Sequence, residues 1–186
     1  MPAQAKTDRE QIVAVARELL EEGGADAVTM QVVAERVGVR APSLYKHVRD
    51  RRELLTLVVA ATMDDVTAEV AALRDADPAR SIAQQLRGLR RFAHERRHGY
   101  GLVFGTTAGA PHAETDALGR SLVPLLDATT ALLGPDRALD GARFVMAWAN
   151  GFVTMELGGA FRMGGDVDAA WEWGLQRVLD ALATPR

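Results

Sequence analysis

The chain has 186 residues, 48% hydrophobic and 25% charged, with no cysteine and a formal net charge of −3. That length supports a substantial core in one or two compact units, and the lack of cysteine excludes disulfides and cysteine-ligated metal. No apolar run approaches the roughly 18 residues of a membrane span, and the opening MPAQAKTDREQIV lacks an apolar signal core. A cytoplasmic protein with no membrane partner is expected.

Helical periodicity runs through the whole chain, with no alternating strand, repeat or low-complexity segment. Ile12, Val13, Ala16, Leu19 and Leu20 form the apolar stripe of a first helix that ends at Gly23-Gly24. Thr29 caps a second helix through its hydroxyl, with Val32, Val33 and Val37 turned inward. Gly38 supplies a left-handed turn, Pro42 opens a short third helix, and Leu44 tethers that helix to the core. Asp50 and Glu53 have capping-box spacing before a long fourth helix from about Arg51 to Leu73, with Leu54, Leu55, Val58, Met63, Val66, Val70 and Leu73 inward. Asp77-Pro78 opens a fifth helix, and the glycine-rich stretch Gly99 to Gly109 holds one short sixth helix. A seventh spans about Ala113 to Leu133 with a kink expected at Pro124, and an eighth about Asp136 to Leu157. Asp166 caps a ninth after two Gly-Gly breaks. The expectation is an all-α, nine-helix architecture in two parts, with a helix–turn–helix head at 1–50 and a helical core at 51–186.

The most informative stretch is 29–55, TMQVVAERVGVRAPSLYKHVRDRRELL. Its short middle helix and exit carry Arg40, Ser43, Tyr45, Lys46 and His47, with Arg49, Arg51 and Arg52 following. A compact helix–turn–helix with donors clustered on its second helix suits the major groove of duplex DNA. Residues 29–52 hold six Lys/Arg against two Asp/Glu, whereas 53–186 hold 13 against 17. The basic patch is therefore local, as a small reading head on an acidic protein requires.

Thr29, Ala34, Gly38, Val39, Ser43, Leu44, Tyr45, His47, Asp50 and Leu54, with the string SLYKH shortly after VAERVGV, resemble the N-terminal domain of the tetracycline-repressor (TetR) family of transcriptional regulators. The resemblance implies an all-α homodimer with one reading head per subunit. Arg40 stands where the family often has a Ser or Thr cap, and Val48 where it often has an aromatic. Arg40 cannot cap, and so is available to read DNA. Arg40, Ala41 and Ser43, at the start of the recognition helix, are placed for base edges. Tyr45, Lys46, His47 and Arg51 are placed for phosphates, and Thr29 and Gln31 for further contacts to the DNA backbone. Tyr45 also fits a half-buried packing role, and Arg49 and Arg52 fit solvated surface charges.

AWANGFVTMELGGAF resembles the C-terminal domain type named for its Trp-His-Gly motif, with Trp148 and Gly151 matching and Asn150 in place of the His. On the eighth helix Ala147, Gly151, Thr154 and Gly158 recur at spacings that permit close helix approach. On the ninth, Trp171, Leu175, Val178 and Leu182 share a stripe with Leu179. Two such helices from each subunit suit a four-helix dimer interface, although the same stripes suit a core within one subunit. The resemblance further implies a pocket within helices four to eight for a small apolar effector. Candidate contacts are Met63, Val66, Phe92, Val103, Phe104, Trp148, Phe152 and Met155, each equally suited to core packing. A ligand-responsive regulator, acting as a repressor on a pseudo-palindromic double-stranded operator, is the implied function, with no cofactor and no resident metal.

A second chemistry competes. His94-Glu95-Arg96-Arg97-His98 fits the H-E-x-x-H pattern of zinc peptidases, and Gly101 occupies the glycine place of the longer metzincin pattern. On a continuous helix both histidines share a face with Glu95 beside them as general base. The third histidine position is Phe104, leaving Glu114 or Asp116 as substitutes. Against a zinc hydrolase, Ile82, Leu86, Leu89, Phe92 and Ala93 define an apolar stripe that puts His94 and His98 toward water, and no strand is available for a cleft. No enzyme is expected.

Overall fold

The computed structural model describes residues 8–105 and 115–183. Among these residues the chain forms nine α-helices and no strand: α1 (Arg9–Gly23), α2 (Met30–Val37), α3 (Ala41–Leu44), α4 (Arg51–Ala71), α5 (Pro78–Glu95), α6 (Arg97–Phe104), α7 (Thr115–Leu133), α8 (Pro135–Leu157) and α9 (Val167–Ala183). Packing groups them into two units, the first bounded by Met1–Met63 with Arg96–Glu114 and the second by Asp64–Glu95 with Thr115–Arg186. This grouping differs from a cut at residue 50. Leu54, Leu55, Val58, Val59 and Met63 of α4, with Leu102 of α6, are buried in one cluster with Ile12, Val33 and Leu44.

Local chemistry sets the helix ends of the first unit. Asp8 accepts the Gln11 N–H at 2.8 Å and Thr29 Oγ1 accepts the Val32 N–H at 3.2 Å, each satisfying an orphan donor of a first turn. Gly38 ends α2 at φ 83°, its N–H directed to the carbonyls of Ala34 and Glu35. Pro42 lies in the first turn of α3. Asp50 accepts the Glu53 N–H at 2.8 Å, and the Glu53 carboxylate returns to the Arg49 N–H at 2.6 Å, one residue earlier than a standard capping box. Val33 is buried as expected, but Val32 is 37% exposed.

Glu21 governs the start of α6. Its carboxylate accepts the N–H groups of His98 and Gly99 at 3.1 and 2.8 Å, and the His98 ring Nδ1 lies 3.0 Å from the Glu21 carbonyl. A Cβ on Gly99 would sit 2.8 Å from Glu21 Oε1, so a larger residue there would push the carboxylate off the N–H groups it caps.

In the second unit the expected stripe of α5 is buried: Ile82, Leu86, Leu89, Phe92 and Ala93. It packs with α7, α8 and α9. The helix α7 continues through Pro124, whose carbonyl accepts from Gln85 Nε2 at 3.3 Å. Trp171 of α9 stacks on Trp148 of α8 at 4.7 Å between ring centroids and meets Phe152 edge-on at 5.2 Å. Gly174 admits the Trp148 ring, because a Cβ there would lie 2.7 Å from Cζ2. No helix among the described residues is long and apolar enough to cross a membrane.

An ion-pair hub joins these helices. Arg90 donates to both oxygens of Glu156 at 2.9 and 2.5 Å and to Asp168 at 2.6 Å, while His94 Nε2 lies 3.2 Å from Glu156. Arg90, then His94, holds the Glu156 carboxyl below its ordinary value of 4.5 against the opposing effect of burial. The unfolded chain therefore binds that proton more readily than the folded one. The resulting stability is present above pH 4.5 and is lost as pH falls through the depressed folded value. Glu156→Gln is expected to lower the thermal midpoint at neutral pH and flatten its decline in acid. Melting curves of both proteins across that range provide the measurement.

Candidate nucleic-acid interface

The candidate DNA-reading surface is built on a very short helix. Arg40 precedes α3 in extended conformation and makes no side-chain cap, in keeping with its chemistry. Leu44 is fully buried and anchors the turn, while Arg40, Tyr45 and Lys46 are exposed, Tyr45 at 53%. The side chains of Arg40, Ser43, Tyr45, Lys46 and His47 make no hydrogen bond or ion pair among the described residues. The half-buried packing role for Tyr45 is therefore not what the fold adopts. Ala41 opens the helix beside Arg40. The Thr29 hydroxyl is occupied by its capping bond, and Gln31 Nε2 donates to Glu35 Oε1 at 3.1 Å on the exposed face of α2.

Arg51 departs from the expected phosphate role. Its Nε donates to the Val28 carbonyl at 2.7 Å and its Nη2 to the Ala25 carbonyl at 2.6 Å, both in the partly buried link between α1 and α2. The guanidinium satisfies the Val28 carbonyl and adds to the bond that the Ala25 carbonyl already accepts from the Val28 N–H at 3.2 Å, and so serves the fold. Arg36 is also committed, pairing with both Glu22 oxygens at 3.0 Å. Arg49 pairs with Glu53, so of the six charges that pattern alone assigned to the patch, Arg40, Lys46 and Arg52 remain open to a partner among the described residues.

The residues expected around an effector divide between the units. Met63 is buried in the core of the first unit, and Val103 and Phe104 pack against it. In the second unit Val66 and Phe92 are buried, Trp148 and Phe152 belong to the aromatic cluster around Trp171, and Met155 is 51% exposed. A cleft of about 550 Å³ lies instead on α5, the end of α8 and the start of α9. None of the eight residues lines it. Its arginines are paired, Arg87 with Glu172, Arg90 with Glu156 and Asp168, and Arg91 with Glu69.

The small residues proposed for an interface, Ala147, Gly151, Thr154 and Gly158, are all exposed on α8, as are Phe144 and Met155. The α9 stripe needs correction. Trp171, Leu175 and Val178 are buried within the subunit, and Leu182 is half-buried near Gly141, so this stripe is core; the exposed apolar residue of α9 is Trp173, at 70%.

The peptidase-like motif is broken by the backbone. The helix α5 ends at Glu95 and α6 begins at Arg97, with Arg96 at φ −128°, ψ 60°. His94 and His98 thus lie on different helices, one beside Glu156 and the other on Glu21, and the i,i+4 face that zinc ligation needs does not exist. Glu114 and the Asp116 side chain lie outside the described residues. Among the described residues no group of three or more His, Asp or Glu is arranged to hold a metal.

Comparison with known proteins gives matches over both halves. The family described as bacterial regulatory proteins, tetR family, matches residues 12–58, and the family described as tetracyclin repressor-like, C-terminal domain, matches residues 82–178. The C-terminal match bears this description rather than the Trp-His-Gly one. The class A tetracycline repressor protein of Escherichia coli, from transposon 1721, is 33% identical over 104 residues, covering 56% of this chain and 48% of that protein. The chain thus spans about half the length of that curated relative. A possible TetR family transcriptional regulator from Streptomyces coelicolor A3(2) is similar in structure at TM-score 0.71 and 25% identity, over 94% of this chain and 98% of that one. A protein of unknown function from Rhodococcus sp. RHA1 reaches TM-score 0.82 at 23% identity over 99% of this chain and 100% of its own, a likeness of fold alone.

Proposed function

Because this chain belongs to the tetR family of bacterial regulatory proteins, we propose that it is a transcriptional repressor that binds a pseudo-palindromic duplex operator as a homodimer and responds to a small apolar effector. The observation that carries this reading is the gathering of Arg40, Ser43, Tyr45 and Lys46, without internal partners among the described residues, on one buried anchor, Leu44. Arginine at the start of a recognition helix can take guanine O6 and N7 together, and lysine at its exit suits a phosphate. Mapping the genomic fragments that the protein retains tests the proposal directly. A set with no shared two-fold motif would overturn it.

Dimerisation is proposed through the exposed face of α8, with the exposed Trp173 of α9 as a further aromatic contact. Phe144, Ala147, Gly151, Thr154, Met155 and Gly158 recur at three- and four-residue spacing on that face. A Cβ on Gly151 meets nothing within 4 Å in the subunit. Gly151→Leu is therefore expected to leave the isolated fold intact while forcing paired helices apart at about 1–3 kcal/mol or more per site. Operator affinity should fall with it, since two heads must engage together. Sedimentation beside operator titration reads both effects, and a dimer of unchanged strength would exclude this face.

For the effector we retain an apolar molecule taken up by the second unit, with Trp148 and Phe152 among its contacts. It acts by favouring a conformation that binds DNA poorly. By linkage, operator DNA then weakens the effector by the same factor.

A further inference from the structure

Resting on the DNA-reading proposal above, we infer that Arg9 and Glu53 are positioning residues that fix the exit of the recognition helix and so set the pose of Tyr45, Lys46 and His47. The need for such a device follows from length. With four residues, α3 is a single turn, and so short a helix has almost no stability of its own. The residues after it are held locally by a long Lys46 N–H bond to Ser43 at 3.4 Å and by Leu44 accepting from His47 and Val48 at 2.8 and 3.0 Å. Tertiary contacts must supply the remaining order.

Three consecutive residues receive it. Arg9 of α1 donates from Nε and Nη2 to the His47 carbonyl at 3.1 and 2.7 Å. The Val48 side chain is buried in the core. The Arg49 N–H donates to Glu53 Oε2 at 2.6 Å, and the Arg49 Nε reaches the same oxygen at 3.2 Å. Arg9 Nη2 lies 3.8 Å from Glu53 Oε1, which joins the two grips into one network. A carbonyl, a side chain and an N–H are thus fixed in sequence from His47, the last of Tyr45, Lys46 and His47, through Arg49. The Arg49 N–H, then its side chain and the charge of Arg9, hold the Glu53 carboxyl below its ordinary value, so it is the anion at neutral pH.

This role opposes simple electrostatics, which gives a sharp test. Glu53 is a negative charge on a head that approaches a polyanion, so by charge alone its removal strengthens binding to any duplex. As a positioning residue its removal weakens the selected site. The probes are a genomic fragment retained by the wild-type protein and a scrambled duplex of equal length. Glu53→Ala is expected to leave scrambled-duplex affinity equal or higher while the ratio of selected to scrambled affinity falls roughly tenfold or more, the loss of one charge-assisted hydrogen bond. Arg9→Lys keeps the charge but not the two-pronged grip on one carbonyl, so the same ratio should fall with the salt slope unchanged. Ratios that stay at the wild-type value in both variants overturn the inference, as does loss of helicity in both, which would make these residues requirements for folding instead. A wild-type protein with no preference between the probes would sink the DNA-reading proposal itself, a result visible before any variant is made.

Discussion

Raising salt from 50 to 200 mM is expected to weaken operator binding by roughly a thousandfold to ten-thousandfold. The argument is one of counterions. Each head presents Arg40 and Lys46 without internal partners among the described residues, with exposed Arg52 nearby and helix N-terminal N–H groups to assist. If a dimer neutralises about six to eight phosphates, log affinity against log salt slopes at roughly −5 to −7. Arg51 and Arg36 are not counted, because one is bonded to carbonyls and the other to Glu22. Lys46→Ala should weaken every duplex alike and flatten the slope by about two units per dimer, whereas Arg40→Ala should relax preference at one base position per half-site. Titrations at four or five salt concentrations measure both, and a complex indifferent to salt would remove the basis of the DNA assignment.

Leu44→Ala should abolish DNA binding while leaving half the protein folded. Leu44 is fully buried, and it is the only buried residue of the four in α3. Truncating a leucine in such a place costs about 2–5 kcal/mol, against a typical domain stability of about 5–15 kcal/mol. The cost falls on the first unit, whose core holds Leu44 with Ile12, Val33 and Leu54. Trp148, Trp171 and Trp173 all lie in the second unit. Tryptophan fluorescence should therefore keep its folded signature while the helical signal of the head melts early. A variant that binds its operator normally would mean that Leu44 does not anchor the recognition turn.

Most helix boundaries could be read from the sequence because their causes are local. Thr29, Gly38, Pro42 and Asp166 act on their own turns, and each appears in that role. What sequence could not supply was the identity of distant partners. The α5 helix was expected to carry both histidines, yet α6 starts afresh at Arg97, where Glu21, some 77 residues earlier, takes the His98 N–H. Arg51 carried the right charge for a phosphate but turned to a turn 23 and 26 residues behind it. The periodicity of Trp171, Leu175 and Val178 announced burial without saying against what, and the answer was their own subunit. Arg9 drew no attention because its carbonyl partner is 38 residues away.

The two packing units are each discontinuous in the chain, with three crossings, at Met63/Asp64 in the middle of α4, at Glu95/Arg96 and at Glu114/Thr115. A chimaera that exchanges reading heads by recombination at residue 50 severs Leu54, Leu55, Val58, Val59 and Leu102 from the partners they bury against. Transplanting the proposed recognition surface onto another member of the family therefore requires grafting the surface of α3 and its exit onto the recipient's own helices. Wholesale exchange would have to carry two separated gene segments together. For the same reason, substitutions inherited through single crossovers should leave α1, the first half of α4 and α6 travelling with mismatched neighbours, and sequence change in any one of them should constrain the other two.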